Sequence, residues 1–159
     1  MKTCGNRWRG RKLVALQTIG GIMTLTPEMI NQRDTNNLPG LMGMKVLELV
    51  PKHAKLSLEV RPDLLAINGF LHGGTVVSLA DTAAGYGCMA TLPESAEAFT
   101  TIELKCNMMG TAREGTVSCV ATCLHAGRTT QVWESVVTND TTDKVIAKFT
   151  CTQMVLYPR

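Results

Sequence analysis

Residues 73–91 constrain this chain more than any other stretch, reading Gly-Gly-Thr-Val-Val-Ser-Leu-Ala-Asp-Thr-Ala-Ala-Gly-Tyr-Gly-Cys-Met-Ala-Thr before Pro93 stops the pattern. The run predicts a helix with apolar residues on nearly every side rather than along one stripe, and such a helix must be surrounded. Gly85 and Gly87 each cost about 1 kcal/mol relative to Ala in a helix interior. They point to a close approach by another backbone, or to a buried helix that tolerates them.

The rest of the chain supplies strands to cover that helix. Residues 44–50 and 54–60 flank Pro51-Lys52-His53 and predict a hairpin. In the second of them Ala54, Leu56, Leu58 and Val60 alternate with Lys55, Ser57 and Glu59, so one face is buried. Four more strands are expected over 99–108, 116–124, 129–139 and 145–156, with short connections after the second and third. In the last, Val145, Ala147, Phe149 and Cys151 oppose Lys148, Thr150 and Thr152. A short helix over 27–36, with Thr26 as cap and Pro27 at its first position, precedes them and ends at a Leu38-Pro39-Gly40 turn. The pattern is α+β: one domain over 23–159, with five to six antiparallel strands wrapped around a central helix. One sheet covers only one side of a helix well, so the reading predicts a dimer that places the helix against its partner.

Charge and composition exclude several functions. The net charge is +3, but Lys2, Arg7, Arg9, Arg11 and Lys12 supply five positive charges, which leaves −2 for everything after them. With a body that is not basic, 4% aromatic residues and no recognition motif, nucleic acid is not an expected partner. Six cysteines lack metal-site pairing and the density of a disulfide scaffold. Cys119 and Cys123 lie about 13 Å apart on one strand face, too far to share a bond or a metal. His53 and His125 fall in separate turns, so neither a metal nor another cofactor is expected. Residues 1–22 read as a poorly ordered basic extension with Met23 as natural start, or alternatively as an organelle-targeting leader. The expected location is cytoplasmic unless that leader operates, and no run of 18 apolar residues predicts a membrane span.

The chemistry concentrates at the start of the apolar helix. Amide groups there have no partner within the helix and favour negative charge. Gly73 and Gly74 let a bulky carbonyl approach those amides, so they read as an oxyanion site or as a plain structural turn. Asp81 lies in otherwise apolar surroundings where an unpaired carboxylate is costly. It reads either as a side chain satisfied by Ser78, Thr82 or Thr101, or as a nucleophile or base acting on an acyl carbonyl. No Gly-x-Ser-x-Gly elbow is present.

His72-Gly73-Gly74 followed by Asp81 resembles the His-Gly-Gly-x6-Asp signature of hotdog-fold thioesterases of the phenylacetate-pathway and 4-hydroxybenzoyl-CoA thioesterase group. The similarity runs more loosely over 38–156 and includes Pro62, the strand Thr100-Thr101-Ile102-Glu103-Leu104 and the turn Gly127-Arg128-Thr129. The resemblance implies a hotdog fold and hydrolysis of an acyl-CoA. It makes Asp81 the nucleophile or base, Gly73 the oxyanion donor, His72 a residue that shapes the loop by donating to a backbone carbonyl, and Thr101 a helpful strand hydroxyl. Gly74, Asn68, Arg128 and Arg113 become candidate contacts to the substrate, the arginines through CoA phosphates; Asn68 otherwise forms a turn beside Gly69. Many relatives carry Asn or Gln where Ala66 stands, which keeps a non-catalytic acyl-CoA-binding domain as the alternative. Gly73 and Asp81 are separated by about 12 Å of helix rise, so one carbonyl can meet both only across a subunit boundary. The expected assembly is a homodimer, or a homotetramer built as a dimer of dimers, with sites at the interface.

Overall fold

The computed structural model of the chain describes residues 17–18, 21–22, 25–33 and 35–158. In chain order these form two-residue strands β1 (Gln17–Thr18) and β2 (Gly21–Ile22), helices α1 (Pro27–Arg33) and α2 (Leu38–Met42), and strands β3 (Lys45–Val50) and β4 (His53–Glu59). A 3-10 turn at Pro62–Leu64 leads to helix α3 (Gly73–Met89), followed by β5 (Ala98–Met108), β6 (Thr116–Ala126), β7 (Thr130–Asn139) and β8 (Lys144–Leu156). β1 pairs with β2, and apart from that ladder the expectations for residues 1–22, like Met23, fall outside the described residues. β3 to β8 make one six-stranded antiparallel sheet in the order β3-β4-β6-β7-β8-β5.

The sheet wraps α3, which is the hotdog arrangement expected from the sequence. Alternate residues of three neighbouring strands turn toward the helix and are essentially fully buried: Ala54, Leu56 and Leu58 on β4, Val117, Cys119 and Ala121 on β6, Trp133, Ser135 and Val137 on β7. They meet Val76, Leu79, Ala80, Ala83, Ala84 and Cys88 of α3. A methyl group built on Gly87 would lie 2.4 Å from the Trp133 ring, and one on Gly85 would lie 3.2 Å from the Phe99 ring. Both glycines therefore make room for aromatic rings, not for a second backbone as the sequence suggested. Between them they let a small, alanine-rich helix sit deep enough for Trp133 to be fully buried.

Other departures from the expected pattern have local causes. The anticipated turn at Leu38-Pro39-Gly40 is the body of α2. Asn37 accepts the Gly40 amide at 3.3 Å, Pro39 suits the first turn, and Gly43 closes the helix at φ +76. Arg61 donates to the terminal carbonyls of Met42 and Leu41 at 2.8 and 3.1 Å, fastening α2 beside the loop that precedes α3. On β8, Val145 is exposed and Ile146 buried, because the pairing with β7 shifts register between Val137 and Thr138. The two-residue period holds from Ala147 onward.

One stripe of α3 is not covered. Val77, Ser78, Asp81, Thr82, Tyr86 and Met89 are only half-buried, while the opposite face is sealed. β5 is an edge strand, and Ile102, Leu104 and Met108 on it are exposed. Replacing Gly87 by alanine forces the Trp133 ring to move or the helix to lift. It is expected to destabilise the fold by about 1–3 kcal/mol, as overpacking does, read as a lower urea midpoint at unchanged slope.

Candidate functional site

The loop ahead of α3 is built to present the helix start. Leu65 bridges Leu71, and within that closure the Ala66 amide donates to the Phe70 carbonyl at 2.7 Å and the Gly69 amide to the Ala66 carbonyl at 2.9 Å. Gly69 takes φ +76, which a side chain would resist. Asn68 Oδ1 accepts the Phe70 amide at 3.2 Å, so its oxygen is engaged in forming the turn. Beyond the loop, Leu71 donates to the Ala112 carbonyl at 2.8 Å and His72 to the Leu64 carbonyl at 3.0 Å, while Thr75 Oγ1 donates to the same Leu64 oxygen at 3.1 Å. His72 is thereby fixed as the cap of α3.

The His72 side chain organises the loop by accepting, while the donation to a backbone carbonyl expected of this residue comes from its main-chain amide, to Leu64. Its Nδ1 accepts the Gly74 amide at 2.8 Å, and its carbonyl accepts the amides of Thr75 at 2.9 Å and Val76 at 3.2 Å. Of the first-turn amides, that of Gly73 alone is left without an acceptor among the described residues. Gly73 is exposed, and outside its own helix turn a methyl group built on it would have its nearest contact at Met108 Cε, an ordinary 3.5 Å away. A carbonyl oxygen can reach this N–H, whereas the Gly74 N–H is already in use.

Two turns along the helix, Asp81 finds one of the three partners considered from sequence. Thr101 Oγ1 lies 3.1 Å from Asp81 Oδ1, while Ser78 turns back to the Gly74 carbonyl at 2.8 Å. Burial pushes the Asp81 carboxyl above its usual range, and the Thr101 hydrogen bond partly opposes that rise. Thr101 Oγ1 is also 3.0 Å from Gln153 Oε1, and Gln153 Nε2 is 3.3 Å from Cys151 Sγ. Gln153 and Cys151 are fully buried, and the Cys151 thiol is pushed up to about 12, first by burial. Sequence reading passed over Gln153. The available signal was phase, since residue 153 continues the buried side of β8 set by Phe149 and Cys151.

The strand beneath orders these groups along the helix. On β5, Met108 lies by Gly73, Thr101 by Asp81 and Phe99 by Gly85. Arg113, next to the Ala112 that pairs with Leu71, belongs to the Gly73 end, and its guanidinium carbon stacks 4.2 Å from the Phe70 ring centroid. A shallow depression of about 290 Å3 opens there between Phe70, Arg113, Glu114, Asn139 and Thr141. Arg128 belongs to the opposite end: its carbonyl accepts the Tyr157 hydroxyl, and its guanidinium carbon lies 5.8 Å from that ring. One chain thus gathers Asn68, His72, Gly73, Gly74 and Arg113 at one end, holds Asp81 and Thr101 at mid-helix, and keeps Arg128 apart. Among the described residues no group of three or more His, Cys, Asp or Glu side chains is arranged to hold a metal ion.

Comparison with known proteins gives a consistent picture. The family profile described as the thioesterase superfamily matches residues 68–146. A protein of Listeria monocytogenes named 1,4-dihydroxy-2-naphthoyl-CoA hydrolase is 32% identical over 111 residues, spanning 70% of this chain and 89% of that protein. The protein of that name in Escherichia coli is 29% identical, spanning 69% and 80%. A thioesterase structure from Haemophilus influenzae superposes with a TM-score of 0.79 at 25% identity, covering 84% of this chain and 92% of the other. A Streptococcus mutans protein solved with acetyl-CoA bound superposes with a TM-score of 0.67 at 28% identity, covering 74% and 91%.

The raised affinity of Asp81 for a proton has a consequence for stability. A carboxyl that binds its proton more tightly in the folded than in the unfolded chain weakens the fold as pH rises through that window. Asp81→Asn, which can still accept from Thr101, is expected to melt at a higher temperature than the parent at neutral pH. The gain should shrink as pH falls and vanish below the carboxyl's ordinary value of 3.8; thermal melts across pH check it, and a pH-independent difference counts against this origin.

Proposed function

The chain belongs to the thioesterase superfamily, and from that premise we propose that it hydrolyses acyl-CoA to a free acid and CoA at sites shared between two subunits. One observation carries the reading. The half-buried stripe of α3 holds a carboxyl with raised proton affinity, and the same helix begins with one amide, that of Gly73, which finds no acceptor among the described residues. About 12 Å of helix rise separates the two, so one thioester carbonyl is served by Asp81 of one subunit and Gly73 of the partner subunit. Two antiparallel copies of α3 bring these residues together when the twofold axis passes beside Val77, midway between them and on the uncovered stripe. Two equivalent sites follow from the symmetry, in a dimer or in a dimer of dimers.

Each group then has a definite task. The Gly73 amide, at the positive end of the helix, polarises the thioester carbonyl and holds the oxyanion that forms. Asp81 acts as base or as nucleophile. As base it takes a proton from water while the water oxygen bonds to the carbonyl carbon; the C–S bond then breaks, and the CoA thiolate recovers the proton from Asp81. As nucleophile it forms an acyl–carboxylate anhydride, expels CoA thiolate, and is released when water hydrolyses the anhydride. A carboxyl with raised proton affinity suits a base working near neutral pH. Thr101 orients the carboxyl, and His72 occupies the competing amides of the helix start so that Gly73 alone faces the substrate.

Arg113, beside the Gly73 loop, and Arg128, at the far end of the sheet, are the proposed contacts to CoA phosphates, with Asn68 and Gly74 shaping the mouth of the site. An aryl acyl group is favoured. Two relatives are named for 1,4-dihydroxy-2-naphthoyl-CoA, and the motif resembles that of the phenylacetate-pathway and 4-hydroxybenzoyl-CoA enzymes. Among the described residues no helix is long and apolar enough to cross a membrane; the reading places the reaction in the cytoplasm.

A thiol-release assay over aryl-, short- and medium-chain acyl-CoA tests the proposal. Asp81→Ala is expected to lose about a hundredfold or more of kcat/KM, and an unchanged rate would remove Asp81 from the mechanism. Tight binding of acyl-CoA with no thiol release from any substrate would leave the binding-domain alternative, to which Ala66 lends support. For the shared site, Val77→Cys should cross-link spontaneously to a second copy under mild oxidation, and no cross-linked dimer would overturn the axis position.

A further inference from the structure

Gln153 is a fully buried polar side chain that the reaction sketched above leaves without a task. It closes a line of groups running from Cys151 through Gln153 and Thr101 to Asp81, with successive separations of 3.3, 3.0 and 3.1 Å. Thr101 has one hydroxyl proton and faces two oxygens, Asp81 Oδ1 and Gln153 Oε1, so it can donate to only one of them. Donation to Gln153 leaves a proton on Asp81 as the one way to keep the Asp81–Thr101 bond. A glutamine amide can exchange its oxygen and nitrogen by a half-turn in the same space. After that half-turn Nε2 donates to Thr101, the Thr101 proton goes to Asp81, and Oε1 accepts from the Cys151 thiol, which burial keeps protonated.

We infer that Gln153 is a positioning residue whose amide orientation sets the direction of this hydrogen-bonded line. With nitrogen toward Thr101 it commits the hydroxyl proton to Asp81 and favours the carboxylate. With oxygen toward Thr101 it matches the protonated acid. Both states leave every buried polar atom in the line partnered. The carboxyl thus gains and loses its proton without a buried donor or acceptor being stranded, a penalty such a site would otherwise carry.

The surroundings leave this line in control. Facing Asp81 are Thr101 from β5 and Cys151 and Gln153 from β8; on its own helix Ser78 is held by the Gly74 carbonyl, and from β7 Ser135 donates to the Ala80 carbonyl at 3.0 Å. Glu103 is exposed and accepts from Thr152 at 3.2 Å. None of these groups is a cation.

The inference rests on the proposed function only in giving Asp81 a proton to move, and its test does not need turnover. Carboxyl-13C NMR, with the Asp81 signal assigned by its loss in Asp81→Asn, reads the midpoint directly. Gln153→Met is expected to lower that midpoint by about one pH unit, the scale of one hydrogen bond, because Thr101 then has Asp81 as its one acceptor and protonating Asp81 strands the Thr101 hydroxyl proton. The acid limb of the kcat/KM profile should move to lower pH with it. Added to Thr101→Val, the same change should move the midpoint no further. An unmoved midpoint in the single variant, or an equal shift without the Thr101 hydroxyl, would overturn the inference. Should Gln153→Met not fold, the side-chain amide 15N signal of Gln153 in the parent protein decides: it must titrate with Asp81 and stay flat in Asp81→Asn. A parent protein that releases no thiol would defeat hydrolysis while leaving these NMR results free to stand.

Discussion

A helix that is apolar on all sides sets a problem that a single curved sheet solves only halfway, and most of this structure follows from that. The sealed face carries Val76, Leu79, Ala80, Ala83 and Ala84, small or compact groups that let the sheet close down. The other face keeps Val77, Asp81 and Tyr86 half-buried. A carboxylate fully inside the sealed face would be prohibitively costly, and one in bulk water would titrate as an ordinary acid. The intermediate position is what gives Asp81 its altered proton affinity.

The two ends of that helix are treated differently. At the C-terminal end the backbone is tied down: Thr91 Oγ1 donates to the Gly87 carbonyl at 2.7 Å and receives the Lys52 amide at 2.7 Å, and the Thr91 carbonyl accepts from Gln131, whose oxygen holds the Trp133 indole at 3.0 Å. At the N-terminal end one residue, His72, takes up three amides and leaves a fourth. A rigid far end and an open near end let the helix act as a fixed mount, so the position of the Gly73 amide is settled by the fold before any substrate arrives.

Much of this was legible in the residues. The all-apolar run, the alternation in β4 and β8, and a lone carboxylate among alanines each carry a physical reason that survives without coordinates, and strand limits fell within a residue or two of those observed. What could not be read were choices that depend on a second element. Which amides a histidine caps depends on how Leu64 holds its backbone and Ala112 that of Leu71 before it. The bulges on β5 after Thr101 and on β8 at Ile146 leave no compositional mark, yet they decide which side chains turn inward. Gln153 was hidden because a polar residue in phase with a buried strand face looks like a break in the pattern until its partners are seen. The sequence offered both arginines as contacts to the same CoA, Arg113 less clearly than Arg128; the length of β6, which runs between them, carries them to opposite ends.

The open side of β5 bears on how the chain behaves in numbers. Its outer backbone groups have no ladder partner among the described residues, and Ile102, Leu104 and Met108 stand exposed along it. A lone copy therefore carries an adhesive margin that water satisfies poorly. A partner strand that covered that margin would add to the stability of the fold by mass action, to an extent set by its concentration and not by the internal contacts of the chain.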